Sequence, residues 1–182
     1  MNYNRAVPFF GTAFLLHLMK YRRLTKEQLE ELHPEFINFL ATQTITATEW
    51  EEIKANKPEV AEEEIDIFSD LVWEGVLGKA EFLEHISPNT MNLFELREKE
   101  MGLISIIVGD EKIDITTPTG YKWLQNNLLD EEVKIFTATK AYGEDPNADK
   151  FKLIESGAVI TKGDLFRYFD DLMEMGKEKN GF

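Results

Sequence analysis

The chain of 182 residues contains no cysteine. That absence excludes disulfides, thiolate nucleophiles and Cys-ligated zinc or iron–sulfur centres, and it fits a reducing cytoplasmic setting. Histidine is almost as scarce: His17, His33 and His85 are scattered, and no His-Glu-x-x-His pattern brings two of them together. A glycine-rich phosphate loop and a Gly-x-Ser-x-Gly elbow are also missing from the sequence. Basic residues are few, with 20 Lys+Arg against 34 Asp+Glu, a net charge of −14 and a pI near 4.7. Binding to a phosphate backbone needs clustered Lys and Arg to displace counterions, so nucleic acid is not an expected partner.

The apolar stretch Ala6–Met19 spans 14 residues. A membrane-spanning helix needs roughly 20, and no small-residue cleavage site follows to make the stretch a signal peptide, so no membrane association is expected. Residues 1–24 hold Arg5, Lys20, Arg22 and Arg23 and no acid, whereas all the acids lie beyond them. This change of texture leads us to read residues 1–18 as a non-native or disordered extension, with Met19 as the natural start. Residues 19–176 then form one α+β domain, and 177–182 a frayed tail. At 43% hydrophobic and 12% aromatic content, such a domain buries a sizeable core without metals or disulfides, and no cofactor is expected.

Thr25 and Gln28 make a capping-box pattern, and Leu29, Leu32, Phe36, Phe39 and Leu40 follow on one helical stripe. Pro34 lies in this stretch, which predicts one kinked helix or two nearly collinear pieces. Glu30 and His33 form a Glu-x-x-His pair, but no second pair exists to complete a di-iron set, so we expect solvated helix surface there. Thr46–Glu49 opens a short helix carrying Trp50 and Ile53.

A longer helix, about 58–77, has the sharpest pattern. Glu59, Glu62, Glu63, Asp66, Asp70 and Glu74 crowd one arc, while Val60, Ile65, Ile67, Phe68, Leu71, Val72 and Val76 occupy the opposite half. Trp73 borders the acidic arc and, if exposed, offers an anchor to a partner. These seven residues, the six acids and Trp73, are the candidate acidic interaction face. Repulsion between like charges one turn apart predicts that neutralising Asp66 and Asp70 slightly stabilises the helix. Glu64 falls within the apolar arc. A carboxylate there must be neutralised, hydrogen-bonded or paired, with Arg97 or Arg167 as candidate partners, or carry the raised pKa that active sites use.

From about residue 80 the period shortens. Glu81–Ile86, Met91–Arg97, Leu103–Val108 and Lys112–Thr116, separated by turn residues, predict a four-stranded antiparallel meander with Leu103–Val108 central. Gly75 and Gly78 predict the break before it. Thr117-Pro118 starts a helix with Tyr121, Trp123 and Leu124, and Val133–Thr139 reads as a further strand. A helix over 146–156 ends at Gly157. Thr161 is expected to cap a last helix bearing Leu165, Phe166, Phe169, Leu172 and Met173, closed by Gly176.

Asp145, Asn147 and Asp149 match the first half of an EF-hand loop, but its glycine position holds Lys150 and its bidentate acid position Ser156. A helix start, with Asp145 as N-cap and Pro146 next, explains the same letters.

In Met19-Lys20-Tyr21-Arg22-Arg23-Leu24-Thr25, Phe68-Ser69-Asp70-Leu71-Val72-Trp73-Glu74-Gly75 and Asn147-Ala148-Asp149-Lys150-Phe151 the chain resembles an uncharacterised bacterial domain-of-unknown-function family, from Met19 to about Met175. The resemblance implies no activity, cofactor or site residue. The expectation is therefore an α+β fold, helices first and then an antiparallel meander with further helices on the sheet. Its function is expected to be that of an acidic, cytoplasmic protein-binding module with a basic protein partner. The alternative is a metal-dependent or carboxylate-based enzyme using a buried Glu64. The sequence assigns no catalytic residue or metal ligand and leaves the oligomeric state open.

Overall fold

The computed structural model describes residues 19–180. The extension at 1–18, His17 and the last two positions of the expected tail lie outside the described residues. The chain divides into two compact units, the first ending at Asp70 and the second starting at Leu71.

In the first unit, Thr25 caps α1 (Lys26–Glu31), its hydroxyl accepting the Gln28 N–H while the Gln28 side chain accepts the Thr25 N–H. The helix stops at Leu32, and α2 (His33–Thr42) begins with Pro34 in its first turn. A proline lacks the N–H that would continue the α1 ladder, which is why the stretch breaks into two pieces. Glu30 and His33 are exposed. A second capping box, Thr46 with Glu49, starts α3 (Ala47–Asn56), and α4 (Pro58–Lys79) follows. Phe36 gathers the apolar faces: its ring lies 6.1 Å from Phe39, 5.3 Å from Trp50 and 5.0 Å from Phe68. Each such aromatic pair is worth about 0.5–1.5 kcal/mol beyond the area it buries.

The second unit is built on an antiparallel sheet. Its strands are β1 (Phe82–Ser87), β2 (Thr90–Leu96), β3 (Glu100–Val108), β4 (Val133–Ala141) and β5 (Val159–Thr161), in the order β4-β3-β2-β1-β5. On one face Leu93, Ile104, Ile106 and Val108 pack with Leu124 of α5 (Pro118–Asn126) and with Phe166 and Phe169 of α7 (Asp164–Asn180). On the other, Leu83, Leu96 and Met101 pack with Leu153 and Ile154 of α6 (Pro146–Glu155). The fold is thus α+β, with helices first, then the meander, then helices against the sheet.

Four local expectations are corrected. Lys112–Thr116 is not a strand. Asp110 accepts the Lys112 N–H at 2.9 Å and Asp114 the Thr116 N–H at 2.9 Å, so two side-chain turns replace the ladder. Ile115, which mimicked strand alternation, is buried in the core, and β4 takes the place beside β3. Next, Gly75 and Gly78 do not break α4, which continues to Lys79. Thr161 ends β5 rather than capping α7; its hydroxyl accepts from Gly163 N–H and donates to Glu84. Finally, α7 runs past Gly176 to Asn180.

Candidate functional site

The acidic arc of α4 has two fates. In the first unit it binds the chain's own backbone. Asp70, only 7% exposed, accepts the N–H of Lys20 at 2.8 Å and of Tyr21 at 2.9 Å. Ser69 accepts the Leu24 N–H at 3.2 Å and donates to Ile65 C=O. Arg23 lays its Nε on Asp66 at 2.5 Å and its Nη1 on Glu62. Both carboxylates hold the guanidinium firmly protonated, the Asp66 hydrogen bond being the larger cause. Residues 20–24 therefore form a strap whose free amides and cation the acidic arc satisfies, with Glu59 exposed and Glu63 half-buried beyond it.

In the second unit the arc turns inward. Trp73 is 7% exposed and stands edge-on to Phe151 at 5.0 Å, so it is no exposed anchor. Glu74 accepts from Asn147 Nδ2 at 2.6 Å. Leu71, placed by the sequence in the buried half, is 57% exposed, and Val76 is exposed as well. Burial in α4 follows the partners of Ser69, Asp70 and Trp73, and side-chain hydrophobicity alone does not report those partners.

Glu64 meets neither proposed arginine. Arg97 is held by Glu95 and Glu100, and Arg167 by Asp164. Among the described residues the buried Glu64 Oε2 has no hydrogen-bond partner. Burial, with the neighbouring charge of Glu63, raises its pKa above the usual carboxylate range.

The residues of the EF-like stretch point to different protein groups. Asp145 caps α6 by accepting the Ala148 N–H, as the sequence predicts, and Asn147 turns to Glu74. Asp149 accepts from Gly143 N–H and Lys152 Nζ, and these donors hold its carboxyl below the usual range, the Lys152 bond being the larger cause. Lys150 is buried. Its Nζ donates to Leu77 C=O in the last turns of α4 at 2.9 Å and lies 5.8 Å from the centre of the Tyr142 ring.

Two features of the second unit were not legible as sites in the sequence. One is a depression of about 520 Å³ bordered by Lys79, Glu81, Arg97, Tyr142 and Lys150. The other is the β4 edge. This nine-residue strand pairs only with β3 in the sheet order, and seven of its residues, including all of Phe136–Ala141, are exposed. The register places Lys134, Phe136, Ala138 and Lys140 on the face shared with Leu103 and Met101. Phe136 is 52% exposed. Beside it a groove of about 360 Å³ is lined by Phe94, Met101, Leu103, Ala138 and Leu153, with Lys140, Asp149 and Lys152 at its border. Glu64 lines neither the groove nor the larger depression.

These features define an α+β chain whose antiparallel sheet carries the long, exposed strand β4 at one of its two edges. Residues 19–174 match the family described as "Family of unknown function (DUF6495)", and the chain belongs to that family. No curated protein and no solved structure matches the chain. Among the described residues, no helix is long and apolar enough to cross a membrane.

Proposed function

We propose that this chain is a protein-interaction module that receives an extended segment of a partner along β4. The observation that carries the reading is a nine-residue edge strand, exposed from Phe136 to Ala141 and flanked by an apolar groove. An edge strand presents unpaired N–H and C=O groups, and adding a strand satisfies them while side-chain pockets supply specificity. Proteins that avoid such pairing use proline, short edge strands or charged side chains, lysine especially. β4 has no proline, and its only charges are Lys134 and Lys140, so Ile135–Thr139 is an uncharged run.

The acidic face contributes less to this reading than its composition suggests. Asp70 and Trp73 are buried, and Glu62 and Asp66 hold Arg23. Interaction therefore moves from α4 to the sheet edge.

The test is to select extended peptides from a display library against the full chain, then follow amide hydrogen exchange. Bound peptides are expected to slow exchange along β4, and Phe136→Asp to abolish binding without changing the melting temperature. Peptides that bind while leaving β4 exchange unaltered would overturn the proposal.

A further inference from the structure

We infer that the segment β4 receives is acidic at both ends and apolar in the middle. The inference rests on the edge-strand reading above. It comes from the order of side chains on one face of β4, Lys134, Phe136, Ala138 and Lys140, which alternate with Ile135, Thr137 and Thr139. A strand added to this edge places its own alternate residues directly opposite these four, at Cβ separations of about 4.5–5.5 Å. Opposite charges facing each other stabilise such a pair and like charges destabilise it.

The spacing fixes the partner's pattern. Lys134 and Lys140 are six positions apart, about 20 Å along a strand at about 3.4 Å per residue. The matching segment is acid-x-apolar-x-apolar-x-acid. It reads the same in both directions, so it serves a parallel or an antiparallel addition. Its first and last residues face the two lysines, and its inner pair faces Phe136 and Ala138. Ala138 carries only a methyl, which leaves room over it for a larger partner side chain beside Phe94, Leu103 and Leu153. Lys152 adds no free charge, because its Nζ is bonded to Asp149, and that same carboxylate lines the groove and offsets part of the Lys140 charge, so Lys134 is the stronger of the two cationic positions.

A second copy of the chain fits this edge less well. Pairing the whole of β4 with itself antiparallel puts Lys134 opposite the other copy's Lys140 twice, and each copy carries a net charge of −14. That same net charge opposes an acidic peptide at long range. Beyond about 8 Å it is screened at physiological ionic strength, whereas the facing lysines act within that distance.

Four blocked heptapeptides test the inference: Glu-Thr-Val-Thr-Val-Thr-Glu, its Lys-ended and Gln-ended counterparts, and a Glu-ended peptide with Ser for Val. Binding to the full chain is measured by fluorescence anisotropy, and its location by β4 hydrogen exchange. The Glu-ended peptide should bind about tenfold tighter than the Lys-ended one, the Gln-ended one between them and the Ser version weakest. At about 1 M salt, where the screening length is about 3 Å, the gap should narrow. In the double variant Lys134→Glu, Lys140→Glu, both sites exposed, the order should invert. Binding at β4 with no charge preference, or with a preference that survives the double reversal, overturns this inference and leaves the edge-strand reading standing. Failure of all four peptides to protect β4 counts against both. Self-association of the free chain through β4 would identify a second copy as the occupant and overturn the acidic-segment inference.

Discussion

Asp70 accepts the backbone N–H of Tyr21 at 2.9 Å, across 49 positions of sequence, in a buried setting. That bond, with its neighbour to Lys20 at 2.8 Å, changes what the acidic arc does. A stripe of like charges that is unfavourable for an isolated helix becomes the set of acceptors for a strap lacking partners of its own.

The sign of one mutational effect reverses as a result. Asp70→Asn keeps the shape of the side chain but presents N–H to one of its two amide donors, of which the Tyr21 bond is buried and the Lys20 bond half-buried. Leaving such a donor unsatisfied costs about 1–3 kcal/mol. We therefore expect a loss of stability, where charge repulsion alone predicts a slight gain. The urea midpoint should fall with an unchanged slope. An unchanged or higher midpoint would show that the strap contributes nothing.

Two glycine substitutions should act in opposite directions. A Cβ at Gly120 would lie 1.8 Å from the carbonyl oxygen of Asp114, so the first turn of α5 must shift away from the Asp114 turn. Gly120→Ala should cost at least about 1–3 kcal/mol, the usual penalty of overpacking. Gly75 sits inside α4 with nothing within 4 Å of where a Cβ would stand, so Gly75→Ala should stabilise by about 0.5–1 kcal/mol. Thermal melts of the two variants should move to opposite sides of the parent.

Local rules carried the sequence reading wherever a side chain determines its own backbone. Thr25, Thr46, Thr117 and Asp145 each cap the helix they were expected to cap, because the capping oxygen and the N–H that donates to it lie three residues apart. The reading failed where the deciding partner lies far along the chain. Asp70 looked solvated because its two amides are about 50 residues away, and Trp73 looked like an anchor because Phe151 is not visible from α4. Lys112–Thr116 failed for a different reason: Ile113 and Ile115 alternate like a strand while Asp110 and Asp114 fold the backbone into turns. The β4 edge was legible as a strand, but its place at the end of the sheet depends on long-range pairing that periodicity does not encode.

Glu64 should make stability depend on pH. Its folded-state pKa is raised, by burial first and by Glu63 second, so between the ordinary carboxylate value and the raised one the folded state binds more protons than the unfolded. Stability attributable to Glu64 therefore falls as pH rises through that window and stays low above it. Glu64→Gln removes the titration. The variant should melt higher than the parent at neutral pH, with the difference shrinking toward acid. Parallel melting curves at every pH, with a constant offset, would exclude a raised Glu64 pKa.

Lys150 and Tyr142 should respond oppositely to removal of their polar atoms. The Lys150 ammonium donates to Leu77 C=O at 2.9 Å in the last turns of α4, where a cation also suits the negative end of the helix. Burial lowers its pKa, yet the bond gives the ammonium a defined task. Lys150→Met keeps an apolar stem of similar length and removes that donor, so a loss of about 1–3 kcal/mol is expected. The Tyr142 hydroxyl, by contrast, is buried and has no partner among the described residues. Tyr142→Phe retains the ring beneath Lys150 and discards an unsatisfied group, which should leave stability unchanged or raise it by up to about 1 kcal/mol. Urea unfolding of the two single variants and the double variant measures both effects and their coupling. If Tyr142→Phe is as damaging as Lys150→Met, the phenol has a hydrogen-bonding role in the folded protein and the opposite-sign argument fails.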